Sequence, residues 1–210
     1  MAARGGARED ATKSAGPACV RDGCAGLRTA TTQSEAKNWA MEIRRFEVQD
    51  ARALWRLRMR ALEIDPWAFG ESVEELQKIS VEEYGRRIGS GGDENFVIGA
   101  FEEDAAVGMC GFYRESNLKR RHKGHLWGVF VEPLAREKDL GRALTARAIE
   151  TARTLPDLKS IQLTVSITQK AARELYRNLG FRVFGVEPRA LGIGGQFVDE
   201  EHMVLDLDLG

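Results

Sequence analysis

The sequence predicts an α/β fold, a mixed and mostly antiparallel sheet flanked by helices, and three observations predict it. Apolar patterns of strand and helix period alternate in the order β-α-α-β-β-β-α-β-α-β-β. A strand–helix–strand unit in the middle implies one parallel pair inside an otherwise antiparallel sheet, because parallel neighbours need a crossover. Hydrophobic residues make up 43% of the 210 positions and charged ones 30%, which suits one domain with a packed core.

Residues 1–40 stand apart from the rest. They are rich in Ala, Gly, Thr, Arg and Ser and carry few large apolar side chains (Val20, Leu27 and Trp39). Such a stretch buries too little surface to offset its ordering entropy, so it is expected to be a disordered extension. Glu9, Asp10, Asp22 and Glu35 weigh against reading it as a transit peptide. The folded domain is expected over residues 41–210.

Met41–Phe46 alternates as a short strand. Asp50 is placed to cap a helix running to about Ile64, with Ala51, Leu54, Trp55, Met59 and Leu62 on one side and Pro66 ending it. Ser72–Gly89 reads as helix in one or two pieces, and Ser90-Gly91-Gly92-Asp93 breaks the chain. Asn95–Glu102 and Ala106–Glu115 form a hairpin around Glu103-Asp104, and His122–Glu132 gives a third strand. A helix from about Leu140 to Leu155 carries Leu140, Leu144, Ala148 and Ala152 at helical spacing. Ile161 to Ile167 alternates cleanly as a strand, Gln169–Leu179 as a helix stopped by Gly180. Phe181–Val186 and about Val198–Leu209 close the chain as strands.

Bulk properties exclude several functions. A formal net charge of −1 gives no global field for nucleic acid or an anionic membrane. No apolar run reaches the roughly 18–20 residues that span a bilayer, and the start lacks a secretory apolar core, so a cytoplasmic protein is expected. Cys19, Cys24 and Cys110 are scattered without metal-ligand spacing. Reduced thiols, no metal site and Cys110 as a small core residue are expected.

The chemistry is sought where the parallel pair meets the crossover helix, since ligands sit at the carboxyl ends of such strands. The segment Val129-Phe130-Val131-Glu132-Pro133-Leu134-Ala135-Arg136-Glu137-Lys138-Asp139-Leu140-Gly141-Arg142 leads into that helix. Its first turn offers free amides and the positive end of the dipole. Gly141 permits close approach and Arg136, Lys138 and Arg142 add charge, which together describe an anion site suited to a pyrophosphate. A solvated, mixed-charge helix start is the plainer alternative.

The same segment resembles the pyrophosphate loop of the GNAT superfamily, Arg/Gln-x-x-Gly-x-Gly/Ala between a strand and a helix. Gln169, Ala172, Leu175, Tyr176, Leu179, Gly180 and Phe181 resemble its second signature, in which an Asn precedes Ala-x-x-Leu-Tyr and Leu-Gly-Phe. The resemblance covers about residues 41–208 and implies a sheet splayed at its centre. It implies acetyl-CoA as cosubstrate and a small-molecule or peptide amine as acceptor, with a homodimer left open. It implies that backbone groups of Val129 and Val131, flanking Phe130, pair with the pantetheine arm. Arg136, Glu137, Lys138, Asp139, Leu140, Gly141 and Arg142 would then cradle the pyrophosphate, Gln169 would replace the Asn, and Tyr176 would protonate the leaving thiolate. His125 stands where family members carry a base, and imidazole titrates near neutrality. Glu132 and Glu115 are alternative bases. A non-catalytic acyl-CoA-binding module is the alternative function.

One departure stands out. Asp139 occupies the place of the first Gly of the loop. A carboxylate about 4 Å from a phosphate costs about 1 kcal/mol in water and about 4 near a protein surface. As an N-cap it would also compete for the amides, whereas turned outward it would be harmless.

Overall fold

The computed structural model describes residues 41–208, without the side chains of Glu137 and Lys138. The expected disorder of residues 1–40, with Cys19 and Cys24, lies outside the described residues.

The elements run β1 (Met41–Arg45), α1 (Ala51–Ile64), α2 (Val73–Leu76), α3 (Val81–Ser90), β2 (Asn95–Glu102), β3 (Ala105–Arg114), β4 (Lys123–Val131), α4 (Leu140–Arg153), β5 (Ser160–Ser166), α5 (Lys170–Asn178), β6 (Arg182–Ile193) and β7 (Gln196–Asp206). All seven strands join one sheet in the order β1-β2-β3-β4-β5-β7-β6. β4 and β5 pair parallel and the other neighbours antiparallel, as the sequence predicts.

The parallel contact is brief. Lys123, Gly124 and His125 face Ser160, Ile161 and Gln162, and beyond them the two strands part. β4 meanwhile continues along β3 to Val131. Met109 faces Phe130 and Gly111 faces Trp127, so Gly128 and Val129 both oppose Cys110 in a β-bulge. Gly128 has φ +62°, a conformation glycine adopts without a Cβ clash. The extra residue shifts the alternation, so Trp127 and Phe130 both turn towards α1–α3 although three apart.

Two apolar clusters cover the sheet. Phe46, Leu54, Leu57, Leu62, Val97, Phe101 and Phe130 pack beneath α1–α3. Phe96, Phe112, Leu144, Ala148, Ile161, Leu163, Tyr176 and Met203 pack beneath α4 and α5. Each fully buried Leu or Phe contributes about 1.5–3 kcal/mol of transfer free energy. The inner face of α1 differs from the expected stripe: Leu57, Arg58 and Ala61 are buried, while Trp55 and Met59 are only partly so. Asp50 stands at the N-cap of α1 but its side chain makes no cap bond. It is drawn away by Arg44, which donates at 2.6 Å, and by the Glu47 amide at 2.9 Å.

β6 is longer than the expected Phe181–Val186. The sequence Glu187-Pro188-Arg189 reads as a stop, but a register shift between Glu187 and Leu191 absorbs the proline, with Arg189 at φ +55°. Among the described residues no helix is long and apolar enough to cross a membrane.

Candidate active site

The parting of β4 from β5 opens a cleft of about 350 Å³ on the crossover-helix side of the strand ends. Trp127–Val131 line one wall, and Leu163, Thr164 and Val165 the other. α4 points its N-terminus at the cleft, and Gln169, Ala172, Leu175 and Tyr176 of the α5 region close its far side.

A short 3-10 stretch, Pro133–Lys138, delivers the chain to α4, and Asp139 makes the joint. Asp139 sits at φ +52°, ψ +24°, in the left-handed region, which explains why a glycine suits this place. Its side chain is exposed and makes no cap bond. It therefore does not occupy the amides of α4, although it stays among the residues that line the cleft. Gly141 lines the cleft, and a Cβ there would meet Leu175 and Val131 at 3.6 and 3.9 Å, ordinary contact distances. The protein's own packing thus does not demand glycine at 141, and the free space belongs to the cleft.

The residues singled out from sequence divide into three groups. Val129, Phe130, Val131, Arg136, Asp139, Gly141, Arg142, Gln169 and Tyr176 are brought together around the cleft. Leu140 is not among the lining residues, because its side chain is 5% exposed in the core, which leaves only its backbone to the site. The side chains of Glu137 and Lys138 lie outside the described residues. Arg136 is turned across the cleft mouth, its Nε donating to the Val131 carbonyl at 3.0 Å and a terminal nitrogen to Asp65 at 2.6 Å.

Tyr176 is 6% exposed, with its ring edge against Phe181 at 5.9 Å between centroids. Burial, with Cys110 nearby, pushes its hydroxyl well above the usual tyrosine range. Cys110 is fully enclosed, and burial pushes its thiol up to about 12 despite a hydrogen bond with Thr145. A thiol so protonated is no nucleophile.

His125 lies outside the cleft lining. It is two residues before Trp127 on β4, stacked on Tyr113 at 4.8 Å, with Nε2 3.1 Å from Glu115. Two of the alternative bases expected from sequence are therefore one hydrogen-bonded pair. Glu132 lies elsewhere, 3.5 Å from Arg60. Nearby, Arg114 and Arg121 share Glu94, and Arg120 approaches Glu115.

Sequence reasoning missed Asp65, Ala68, Trp127 and Thr164 among the lining residues. Trp127 carried a signal, an aromatic inside the strand that opens the site. Asp65 carried none, since only the fold brings it to Arg136.

The sequence model of the Acetyltransferase (GNAT) family matches residues 54–181. The chain is 25% identical over 135 residues to the spermidine N(1)-acetyltransferase of Vibrio cholerae serotype O1, spanning 64% of this chain and 73% of that one. Among solved structures, the acetyltransferase of GNAT family from Streptococcus pneumoniae superposes with a TM-score of 0.72 at 26% identity, covering 80% of this chain and 100% of that one. A Salmonella typhimurium protein solved with its cofactor acetyl-CoA shares the fold, with a TM-score of 0.66 at 24% identity over 80% of this chain and 95% of that one.

Proposed function

This chain belongs to the acetyltransferase (GNAT) family and is an N-acetyltransferase; from that premise we propose that it moves an acetyl group from acetyl-CoA directly to a primary amine. The observation that carries the reading is a coincidence in one cleft: a strand edge that β5 leaves uncovered, a helix N-terminus and Tyr176 in the lining.

The described residues fit such a cosubstrate. The amides at the start of α4, uncapped by any side chain, suit a pyrophosphate, and the room over Gly141 lets it approach. Arg136 and Arg142 outweigh Asp139 in charge. Val129 and Val131 would offer backbone groups to the pantetheine arm, one N–H polarising the acyl carbonyl. The Val131 carbonyl already accepts from Arg136, so only its amide is left to the arm. Gln169, at the head of α5, would reach the same arm.

Acetyl-CoA would supply the acetyl group as a thioester, releasing a thiolate. Tyr176 would protonate that sulfur, and its raised pKa keeps the hydroxyl protonated at neutral pH. His125 would take the amine's proton through a water, with Glu115 fixing the orientation of the ring. No covalent enzyme intermediate is required.

Isothermal calorimetry of the full chain with acetyl-CoA and CoA tests the reading, followed by thiol release in the presence of primary amines. Micromolar binding and amine-dependent release are expected. Absence of binding would overturn it.

A further inference from the structure

A second cavity of about 360 Å³ lies on the α1–α3 side of β4 and shares Trp127 with the cleft. Arg58, Tyr84, Arg87, Asn95 and Tyr113 supply its polar lining, with Glu71 the one carboxylate among its lining residues. Arg58 is the unusual member. It sits on α1 at 6% exposure, an uncommon place for a guanidinium. Its Nε donates to Glu71 at 3.1 Å, but Nη1 is buried and has no hydrogen-bond partner among the described residues. The ring of Phe69 lies 4.5 Å from the guanidinium carbon and that of Trp127 6.0 Å. A Cβ at Gly128 would stand 3.4 Å from Nη1, so the unpaired nitrogen rests against the β4 bulge, one residue before Val129.

A buried charged donor without an acceptor is costly in a folded protein, and each such group calls for an explanation, a bound partner among them. We propose that the acceptor is a small amine that also bears a carboxylate, and that Arg58 holds that carboxylate. This rests on the acetyl-transfer reading given above. Glu71 takes the Nε side of the guanidinium and leaves the Nη end, which matches a carboxylate in two-pronged geometry. Tyr84, Tyr113 and Asn95 add donors around it, and Arg87 also lines the cavity, paired with Glu83 at 3.1 Å. The proximity of Nη1 to Gly128 places the anion close to the reacting end of the cleft. A short spacer between amine and carboxylate, as in an α-amino acid, suits that placement. A polyamine would instead bring an ammonium against Arg58 and Arg87.

Initial rates with acetyl-CoA and the full chain test this, using L-amino acids each beside its decarboxylated amine, such as phenylalanine and phenethylamine. The acid of at least one pair is expected to show a kcat/KM at least about tenfold above its amine, the usual scale of a charge-assisted hydrogen bond. Arg58→Gln should abolish that preference by lowering the acid's kcat/KM far more than the amine's, and Arg58→Lys should restore part of it. Glu71→Gln, which unmasks the guanidinium, should raise the preference, and it decides the matter if the Arg58 variants do not fold. Equal or faster turnover of the bare amines, or no turnover of any acid, would overturn the proposal. So would an equal loss for acid and amine in Arg58→Gln, because Arg58 would then serve the acyl group. Calorimetry with acetyl-CoA separates the two ideas: absent binding defeats the acetyl-transfer reading itself, whereas binding without acid preference defeats only this one.

Discussion

The two halves of the sheet are built to different standards. β2–β4 are packed on both faces, by α1–α3 on one and α4 on the other. β5 and β7 bury one face against α4 and α5, while β6 at the sheet edge has no buried residue and Thr164, His202 and Phe184 stay partly or largely exposed. Three residue pairs join the halves. The first half thus behaves as a scaffold carrying the bulge, and the second brings Tyr176 to it on a helix tied down locally. That tie is ionic: Arg173 and Arg177 of α5 both reach Glu201 of β7, which is 7% exposed. A site assembled across so short a seam can keep its chemistry while its outer face changes.

Four substitutions break or sharpen this contrast. Tyr176→Phe should lower kcat by about a hundredfold or more if the second half supplies the acid, with acetyl-CoA binding unchanged by calorimetry. A variant that keeps its rate would reduce Tyr176 to packing. Gly141→Ala is expected to move two quantities in opposite directions. Melting should show up to about 1 kcal/mol of added stability from helix propensity, while acetyl-CoA affinity falls about tenfold as the methyl enters the cleft. Equal affinity would mean that the seam holds its ligand elsewhere.

Asp139→Gly should tighten acetyl-CoA about fivefold, the equivalent of about 1 kcal/mol of relieved repulsion, and also remove left-handed strain. Weaker binding in this variant would contradict the anion site. The smallest effect concerns the tie. Hydrogen bonding from Arg173 holds the Glu201 carboxyl below the usual range in the folded protein. Its stabilisation is therefore present above the unfolded glutamate pKa and lost as pH falls through the lower folded value. Thermal melts of Glu201→Gln should show lower stability at neutral pH and a flatter decline in acid than the parent. Parallel curves would show that the ion pair does not anchor α5.

Much of the scaffold was legible because period and punctuation are local. The parallel pair followed from one crossover, and Ile161 to Ile167 from strict alternation. The bulge was not legible, since Gly128 adds a residue without disturbing the apolar count of its strand. Nor was the burial of Arg58: a charged side chain at a helix position reads as solvated unless Glu71, Phe69 and Trp127 are known to converge on it. The cleft residues were found from the two signatures and the crossover, but the pairing of His125 with Glu115 required the β3–β4 register. Asp139 was recognised as out of place, and only its dihedral angles give the reason.

The gap between β4 and β5 has a consequence for inheritance. A donor or acceptor that belongs to the main chain has no codon of its own, so replacing a side chain does not delete it. What such a site requires of the genome is a bulge, a crossover and a few small residues, and the rest of the text is free to drift. Identity to the Vibrio cholerae enzyme of 25% would then be the ordinary state of affairs if, as proposed, the binding surface is written in backbone. Side chains such as Arg58 are where one lineage can come to differ from another.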